Sequence, residues 1–399
     1  MPKHPDNSNR LLSVFSDIEM GGGGVEDDFP HSDFLERLFA VYSSSYYDDR
    51  DVSLVFNGDT FDLLKTSYEG VYPHLVNEKV ALAKFDKVVR HHPAFFRGLH
   101  DFIRHRPAKR QVYFIVGNHD QELTFPAIQS RIRELCGASQ QIIFPGFSLQ
   151  LGNVHIEHGS QQDGMFYVNE KKLFIEYRGE TYLNLPWSAV CLLNVVLPMQ
   201  KDFYHLDRVK PKRLLLELLP EIKELVLGKF WRYWTTNYLR DYLSSTDPLK
   251  KVSWAMIKEV VKRTTNFSPD VDMSPFFYKR MFSSEDTRLY VVGHQHETTV
   301  RSYGNRKVIQ TGCFRNEFML EKGAKSLVAI PKTFVEIDMQ DDELVASKVI
   351  EVTCDEQREY TPPPVLSFLD KIREHLGTMA DRRSTVLAME RQDQKERLL

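Results

Sequence analysis

The stretch NGDTFD, Asn57 to Asp62, decides the fold of this chain, and it follows the mostly apolar run Val52 to Phe56. The apolar run predicts a buried strand, and Gly58 predicts a sharp turn directly after it. Asp59 would then lie at the carboxyl end of the strand, with its carboxylate in a cleft. A Gly-Asp pair after one strand is weak evidence alone, so the interpretation depends on how other strands end.

Four more apolar runs predict strands that end in polar side chains. They are Leu11 to Phe15, which leads to Asp17 and Glu19; Val112 to Val116, which leads to Gly117-Asn118-His119-Asp120; Val154 to Glu157, which leads to His158; and Leu289 to Val292, which leads to Gly293-His294-Gln295-His296. An Asn-His pair is unusual at such a position by chance. Two histidines that are two residues apart share one face of an extended segment.

These side chains are typical ligands of divalent metal ions. Carboxylate, amide and imidazole groups suit borderline-to-hard ions, and the four cysteines lack the Cys-x-x-Cys spacing of a structural zinc site. The set is too large for one ion but suits two ions that share a bridging ligand. Two ions about 3.5–4 Å apart can clamp the attacking and leaving oxygens of a phosphoryl displacement. The candidate metal ligands are Asp17, Glu19, Asp59, Asn118, His158, His294 and His296.

Single members of this set have simpler interpretations. Asp17 and Glu19 could be ordinary turn acids. His155, two residues into its predicted strand, is expected to pack there and to point away from the strand exit. The prediction of a metal centre therefore depends on the combination of motifs.

The bulk composition is that of an ordinary globular protein: 399 residues, 42% hydrophobic, 27% charged, with a formal net charge of -3. This charge gives no overall attraction to nucleic acid or to an anionic membrane. The first ten residues lack the apolar core of a signal peptide, and the most apolar stretch, Trp187 to Met199, is too short to span a bilayer. Widely spaced cysteines suit a reducing compartment. We therefore expect a cytoplasmic protein and leave peripheral membrane contact open.

Strands that alternate with helices, followed by a run of strands after residue 300, predict a layered α/β sandwich. Helical spacing covers residues 32–42 and roughly 75–105. We expect a mobile tail at 1–10, a main domain formed by 11–164 and 286–353, an inserted, mostly helical cap at 165–285, and a helical extension at 354–399. The extension has an apolar helix face that could dock on the body or pair with a second copy.

The order of the motifs resembles that of the calcineurin-like metallophosphoesterase superfamily: Asp-x-His, Gly-Asp-x-x-Asp, Gly-Asn-His-Asp/Glu, His, and Gly-His-x-His. The resemblance spans residues 11–315 and implies a four-layer αββα sandwich. It also implies hydrolysis by in-line attack of a hydroxide that bridges two ions.

The resemblance assigns a role to each candidate residue. Asp59 would bridge both ions. The remaining ligands would form two sets, namely Asp17, Glu19 and His296 for one ion, and Asn118, His158 and His294 for the other. His119 would protonate the leaving oxygen or stabilise its charge, and Asp120 would orient the His119 ring.

One position departs from the superfamily pattern, because Glu19 stands where the superfamily usually has His. A carboxylate adds negative charge and reaches farther, which favours harder ions. We therefore expect two divalent ions, with Mn favoured and Mg, Fe or Zn as alternatives. A weakened or vacant site beside Glu19 is the other interpretation.

The motif variants narrow the substrate class. Phe61 and Asp120 replace features of the serine/threonine protein phosphatases, and the motifs are more similar to the branch that contains UDP-2,3-diacylglucosamine pyrophosphatase. The predicted cap is rich in aromatic residues and carries a local excess of Lys and Arg. A basic, aromatic lid over an acidic metal cleft suits an anionic, partly apolar phosphoester. The cationic cluster Arg208, Lys210, Lys212 and Arg213 could contact a second phosphate or be solvated surface.

We therefore expect a dinuclear-metal-dependent hydrolase of a phosphodiester or pyrophosphate bond in a small or lipid-linked substrate. A nuclease is one alternative, which the basic cap allows but does not favour. A catalytically inactive, protein-binding scaffold of the same fold is another, which Glu19 leaves open.

Overall fold

The computed structural model describes residues 9–24, 27–138, 140–193, 197, 208–218, 228, 236, 246–250, 273–281, 283–321 and 327–354. Most of the predicted mobile tail, much of the predicted cap and nearly all of the predicted C-terminal extension lie outside these residues, so those predictions remain untested. No helix within the described ranges has the length and apolar character needed to cross a bilayer.

The first sheet has six strands in the order β16-β15-β1-β2-β3-β4. The strands β1 to β4 pair in parallel, and the β15–β16 hairpin adds antiparallel to β1. Their bounds are β1 Asn9–Phe15, β2 Asp51–Asn57, β3 Arg110–Ile115, β4 Ile142–Gly146, β15 Lys332–Gln340 and β16 Glu343–Val352. The three neighbouring strands β1, β2 and β3 therefore end at the same edge of this sheet.

The second sheet has five strands in the order β11-β12-β10-β6-β5, and its central strands β6, β10 and β12 are parallel. Their bounds are β5 Ser148–Leu151, β6 Val154–Glu157, β10 Leu289–Val292, β11 Thr298–Tyr303 and β12 Arg306–Thr311. Strands β5 and β6 form an antiparallel hairpin around Gly152-Asn153. The mostly apolar run Ile142 to Leu151 is divided between the two sheets as β4 and β5.

The two sheets pack face to face. Their shared core combines Val14 and Val55 of the first sheet with Ile156, Val291 and Ile309 of the second. The outer face of the first sheet is covered by helices α1 Ser32–Val41, α2 Glu78–His91, α3 Pro93–His105 and α4 Pro126–Leu135. On the outer face of the second sheet, the helix Ser274–Met281 contributes Phe277 to a core with strand β10. This layering confirms the predicted four-layer αββα sandwich.

The helical zone predicted at 75–105 is two helices that meet at His92 and Pro93. Asn77 caps the first of them, because its side chain accepts a hydrogen bond from Val80 N at 3.0 Å. Proline lacks the N–H group that a continuous helix needs and biases the preceding residue away from helix. His92 accordingly has φ -121° and ψ 47°.

The described part of the predicted cap contains strands as well as helices. The hairpin β7 Phe174–Tyr177 with β8 Glu180–Leu183 was not predicted. Strand β9 Val209–Lys210 pairs in parallel with β13 Phe318–Met319, which also pairs with β14 Val328–Ala329. The short helices in this region are α5 Trp187–Cys191 and α6 Lys212–Leu218. The inserted segment is thus joined to the main domain by a small three-stranded sheet.

Candidate metal centre

The polar turns that follow the five predicted strands meet where the two sheets face each other. The β1 and β2 segments continue side by side past their strands, through Asp17 N to Gly58 O at 3.2 Å and Glu19 N to Asp59 O at 2.8 Å. Across the sheets, Asn57 Nδ2 donates to Glu157 O at 3.0 Å. All the candidate ligands therefore come from turns that a rigid pair of sheets holds together.

Five of the candidate ligands have a left-handed backbone. Their φ angles are 53° for Asp17, 55° for Glu19, 49° for Asp59, 72° for His294 and 57° for His296. A non-glycine residue in this region costs about 1–3 kcal/mol, and such residues concentrate at functional sites. The sharp turns point these side chains back into the space between the sheets.

Two glycines are required by close approach. A Cβ on Gly58 would lie 2.5 Å from His158 Cγ, and Gly58 has φ +77°. A Cβ on Gly117 would lie 2.1 Å from Asp59 Oδ1. A side chain at either position would displace a candidate ligand.

We call the residues Asp59, Asn118, His158 and His294 the Asn118 half of the centre. His158 Nδ1 lies 3.0 Å from the carbonyl oxygen of Asn57, so this nitrogen donates and Nε2 is the atom that could bind an ion. His158 Nε2 then lies 3.2 Å from Asp59 Oδ2 and 3.1 Å from Asn118 Oδ1. The rings of His158 and His294 are 5.3 Å apart, centroid to centroid.

We call the residues Asp17, Glu19 and His296, which share Asp59 with the other set, the Glu19 half. His296 Nδ1 lies 2.8 Å from Glu317 Oε1, which directs the Nε2 lone pair to the centre. His296 Nε2 lies 3.2 Å from Asp17 Oδ1 and 3.4 Å from Glu19 Oε1. The three atoms converge as ligands of one ion would.

Divalent ions fit this arrangement by two observations. One ligand atom each from Asp17, Asp59 and His158 lies within 4.8 Å of the others. Asp17 Oδ1 is buried, accepts no hydrogen bond from any residue that the structure describes, and lies between His296 Nε2 at 3.2 Å and His158 Nε2 at 4.0 Å. A buried carboxylate oxygen without a donor carries a desolvation penalty, which a cation would offset.

The sequence did not predict the cations that contact Glu19. Lys65 Nζ lies 2.8 Å from Glu19 Oε2, 2.6 Å from Asp28 Oδ2 and 3.1 Å from Asp62 Oδ2. Arg315 NH1 donates to both oxygens of Glu19 at 3.0 Å, and Arg315 NH2 lies 3.2 Å from Asp28 Oδ2. Burial opposes ionisation of Glu19, yet Arg315 and Lys65 hold its pKa well below the usual range. The Glu19 carboxylate is therefore ionised and already paired with two cations.

Two members of the predicted cationic cluster also reach this region. Arg208 Nε lies 2.7 Å from Asp28 Oδ1. Lys210 Nζ lies 2.8 Å from Glu317 Oε2 and donates to His296 O at 3.1 Å. The alternative that they are solvated surface is therefore wrong for these two residues, because both are committed to buried carboxylates. The side chain of Arg213 lies outside the described atoms.

His119 stands beside the centre and contacts Asp62. His119 Nδ1 lies 2.9 Å from Asp62 Oδ1, and His119 N donates to Asp59 Oδ1 at 2.7 Å. Burial disfavours the charged ring, but Asp59, Asp62 and Glu19 raise the pKa of His119 to about 10. A divalent ion among these carboxylates would oppose that shift.

The role expected for Asp120 is corrected by these contacts. Its carboxylate accepts hydrogen bonds from Gly117 N at 2.8 Å and Thr60 N at 2.8 Å. It therefore fixes the two turns, and Asp62 orients the His119 ring instead. Asp62 is the last residue of the motif Gly58 to Asp62, so the sequence contained a signal for this partner.

The other histidines of the motifs behave differently. Burial lowers the pKa of His294, which keeps the ring neutral, and His294 Nε2 lies 3.6 Å from Asp163 Oδ2. His155 contacts Gln150 and Glu157, as its predicted position away from the strand exit requires.

Comparison of the sequence with protein-family models and with curated proteins finds no match. Solved structures similar to this chain include a Vps29 complexed with Zn from Entamoeba histolytica, with 10% identity and a TM-score of 0.26, covering 86% of this chain and 98% of that one. They also include a dimetal phosphatase from Danio rerio, with 11% identity and a TM-score of 0.30, covering 87% and 100%. A conserved Streptococcus pneumoniae protein described as a phosphoesterase has 10% identity and a TM-score of 0.24, covering 86% and 99%. These likenesses are too weak to show a shared function.

Proposed function

We propose that this protein is a divalent-metal-dependent phosphoesterase that hydrolyses a phosphodiester or pyrophosphate bond. The observation that carries the proposal is the convergence of the Asp17, Asp59 and His158 ligand atoms, with Asp17 Oδ1 buried and accepting no hydrogen bond from the described residues, next to the His119–Asp62 pair. Buried ligands facing one another, with a proton donor beside them, are the parts that metal-assisted hydrolysis needs.

The ions, when bound, would polarise the phosphoryl oxygens and lower the pKa of water. The protein supplies the remaining functions. Asp59, which offers a ligand atom within 4.8 Å of those of Asp17 and His158, would be the ligand that the two halves share. Asn57 O and Glu317 fix the rings of His158 and His296, so that each presents one nitrogen to an ion. His119, held by Asp62, would donate a proton to the leaving oxygen or stabilise its charge.

The finer assignments rest on the motifs and on ligand chemistry. The motif resemblance favours a diester or pyrophosphate in a small or lipid-linked substrate over a phosphoprotein. Four carboxylate and amide ligands, Asp17, Glu19, Asp59 and Asn118, favour Mn among the candidate ions. We expect two ions, because the ligand atoms form two halves around Asp59.

The test is hydrolysis of bis-p-nitrophenyl phosphate and p-nitrophenyl phosphate with Mn, and again after chelation. We expect hydrolysis of the diester that Mn restores and chelator abolishes. Preference for single-stranded DNA over both compounds would favour the nuclease. Bound metal without turnover of any phosphoester would favour the scaffold and overturn the proposal.

His119→Ala should lower turnover by about 10²–10⁴-fold while leaving bound metal unchanged, because His119 serves the leaving group and is not among the ligands. The loss should be larger for diphenyl phosphate, whose leaving group needs a proton more, than for bis-p-nitrophenyl phosphate. His100→Ala is the matched control, since this ring pairs with Asp101 at the surface. Equal losses on the two diesters would remove His119 from its proposed role.

A further inference from the structure

We propose that Lys65 and Arg315 make the Glu19 half the weaker half of the metal centre, so that its ion is lost first. This inference rests on the proposed function, because it concerns the same ions. It is carried by the contacts of two buried cations with one candidate ligand.

The cations occupy the ligand atoms of Glu19. Arg315 NH1 contacts Oε1 and Oε2 at 3.0 Å, and Lys65 Nζ contacts Oε2 at 2.8 Å. The side chains of Lys65 and Arg315 are only 6% and 4% exposed. An ion at Oε1 would therefore share this carboxylate with two fixed positive charges that water screens poorly.

Asp28 keeps the two cations in place. Its Oδ2 contacts Lys65 Nζ at 2.6 Å and Arg315 NH2 at 3.2 Å, while its Oδ1 contacts Arg208 Nε at 2.7 Å. Neither cation can swing away from Glu19 without leaving a buried carboxylate short of partners. Asp28 is thus a positioning residue for the cations.

The formal charges immediately around Glu19 are balanced by the protein itself, whereas Asp17, the other acid of this half, forms no ion pair with Lys or Arg among the residues that the structure describes. The carboxylates of Glu19, Asp28, Asp62 and Glu317 meet the cations of Lys65, Arg208, Lys210 and Arg315. In the Asn118 half the situation is opposite. Within the described ranges, no Lys or Arg side chain forms an ion pair with Asp59 or with the other residues of that half. The negative charge there remains available to a divalent ion.

Mn binding to the chelated, intact protein tests this inference, measured by calorimetry and by the electron paramagnetic resonance of bound Mn. We expect two binding events whose dissociation constants differ at least tenfold. Two events of equal affinity would overturn the inference but leave the phosphoesterase proposal standing. Absence of any Mn binding would overturn both.

Lys65→Met removes one cation from the Glu19 carboxylate and should therefore tighten the weaker Mn event. The ratio of the two dissociation constants should fall by at least tenfold. Lys84→Met is the matched control, because it breaks another buried lysine pair, with Glu122 at 2.6 Å, away from Glu19. An unchanged ratio in Lys65→Met would contradict the inference.

His296→Ala keeps the test decisive should Lys65→Met not fold. This change removes an imidazole from the Glu19 half alone and should abolish the weaker Mn event while the tighter one persists. Loss of the tighter event instead would show that the halves are ranked in the opposite order.

Discussion

The two halves of the candidate centre differ in how their buried negative charge is neutralised. In the Asn118 half, the candidate ligands Asn118, His158 and His294 would be uncharged on binding an ion, and Asp59 is the one carboxylate. In the Glu19 half, Asp17 and Glu19 are both acids, and Lys65 and Arg315 stand within about 3 Å of the second acid. The first half leaves its negative charge to an ion, whereas the second has neutralised much of it internally.

This difference teaches that a ligand's identity does not fix the strength of a metal site. The exchange of a neutral histidine for Glu19 suggests a site with more negative charge, which would bind a cation more tightly. The contacts of Glu19 oppose that expectation, since Lys65 and Arg315 already pair with its carboxylate and offset the negative charge that it adds. The environment of a ligand must therefore be known before its effect on the metal can be judged.

The largest expected effect comes from removing the residue that joins the halves. Asp59→Asn should lower hydrolysis of bis-p-nitrophenyl phosphate by at least about 10³-fold, because both ions lose a charged ligand. Metal analysis by mass spectrometry should show less than one ion per chain. Asp101→Asn, at an exposed site, is the control. Near-normal activity in Asp59→Asn would mean that the two halves do not share a bridge.

The support of the Glu19 half can be tested through stability. Lys332 Nζ donates to the carbonyl oxygens of Phe314 at 2.5 Å and Arg315 at 3.2 Å, and burial lowers its pKa from 10.5 to about 8. The folded protein therefore releases this proton at lower pH than the unfolded chain does. The penalty of holding the buried charge is complete below pH 8 and is relieved as pH rises to 10.5.

Wild-type protein should accordingly gain up to about 3 kcal/mol of unfolding free energy, relative to Lys332→Met, between pH 8 and 10.5. Urea unfolding at a series of pH values measures this difference. A difference that is constant with pH would show that Lys332 titrates normally.

A smaller effect is expected at Asp62, which contacts both Lys65 and His119, the proposed proton donor to the leaving group. Asp62→Asn should lower kcat/KM by about 10–100-fold, because the His119 ring loses the partner that orients it. It should also move the alkaline limb of the pH–rate profile to lower pH. The sign follows from charge: burial lowers the pKa of His119 and nearby carboxylates raise it, so removing one carboxylate lowers it. An alkaline limb at unchanged pH would show that Asp62 does not affect the pKa of the group that titrates there.

The strand exits could be predicted because each is a local pattern. An apolar run, a glycine and a polar residue lie within a few positions, and the strand bounds at Leu289–Val292 agree to the residue. The face-to-face sheets then bring distant exits together, as parallel strands require. The same reasoning located the candidate ligands without knowledge of their contacts.

The cations could not be found in this way. Arg315 lies 296 positions from Glu19 along the chain, and nothing near Lys65 distinguishes it from a surface lysine. Burial is what forces such residues to pair, and burial is a property of the fold. One signal was available, because Arg315 follows strand β12 and so belongs to another exit from the central strands of the second sheet.

Pro93 in the sequence is a signal for the break between the two helices. The sequence contains no such signal for the division of Ile142 to Leu151 between the two sheets. The first and second parts of that run are both apolar enough for either sheet. Only the pairing of β4 with β3 and of β5 with β6 decides which sheet each part joins.

The charged residues of this pocket are made at very different times during synthesis. Glu19, Asp28 and Lys65 come early in the chain, and Arg315 comes late. The ribosome makes the three acids Glu19, Asp28 and Asp62 together with Lys65. Arg315, the second cation that Glu19 and Asp28 share, is made about 250 residues after Lys65. We therefore expect these acids to stay hydrated in the nascent amino-terminal half, and this pocket to close only after the β12 segment and Arg315 have been made. A growing chain would form its helices and parallel strands early and complete its charged interior last.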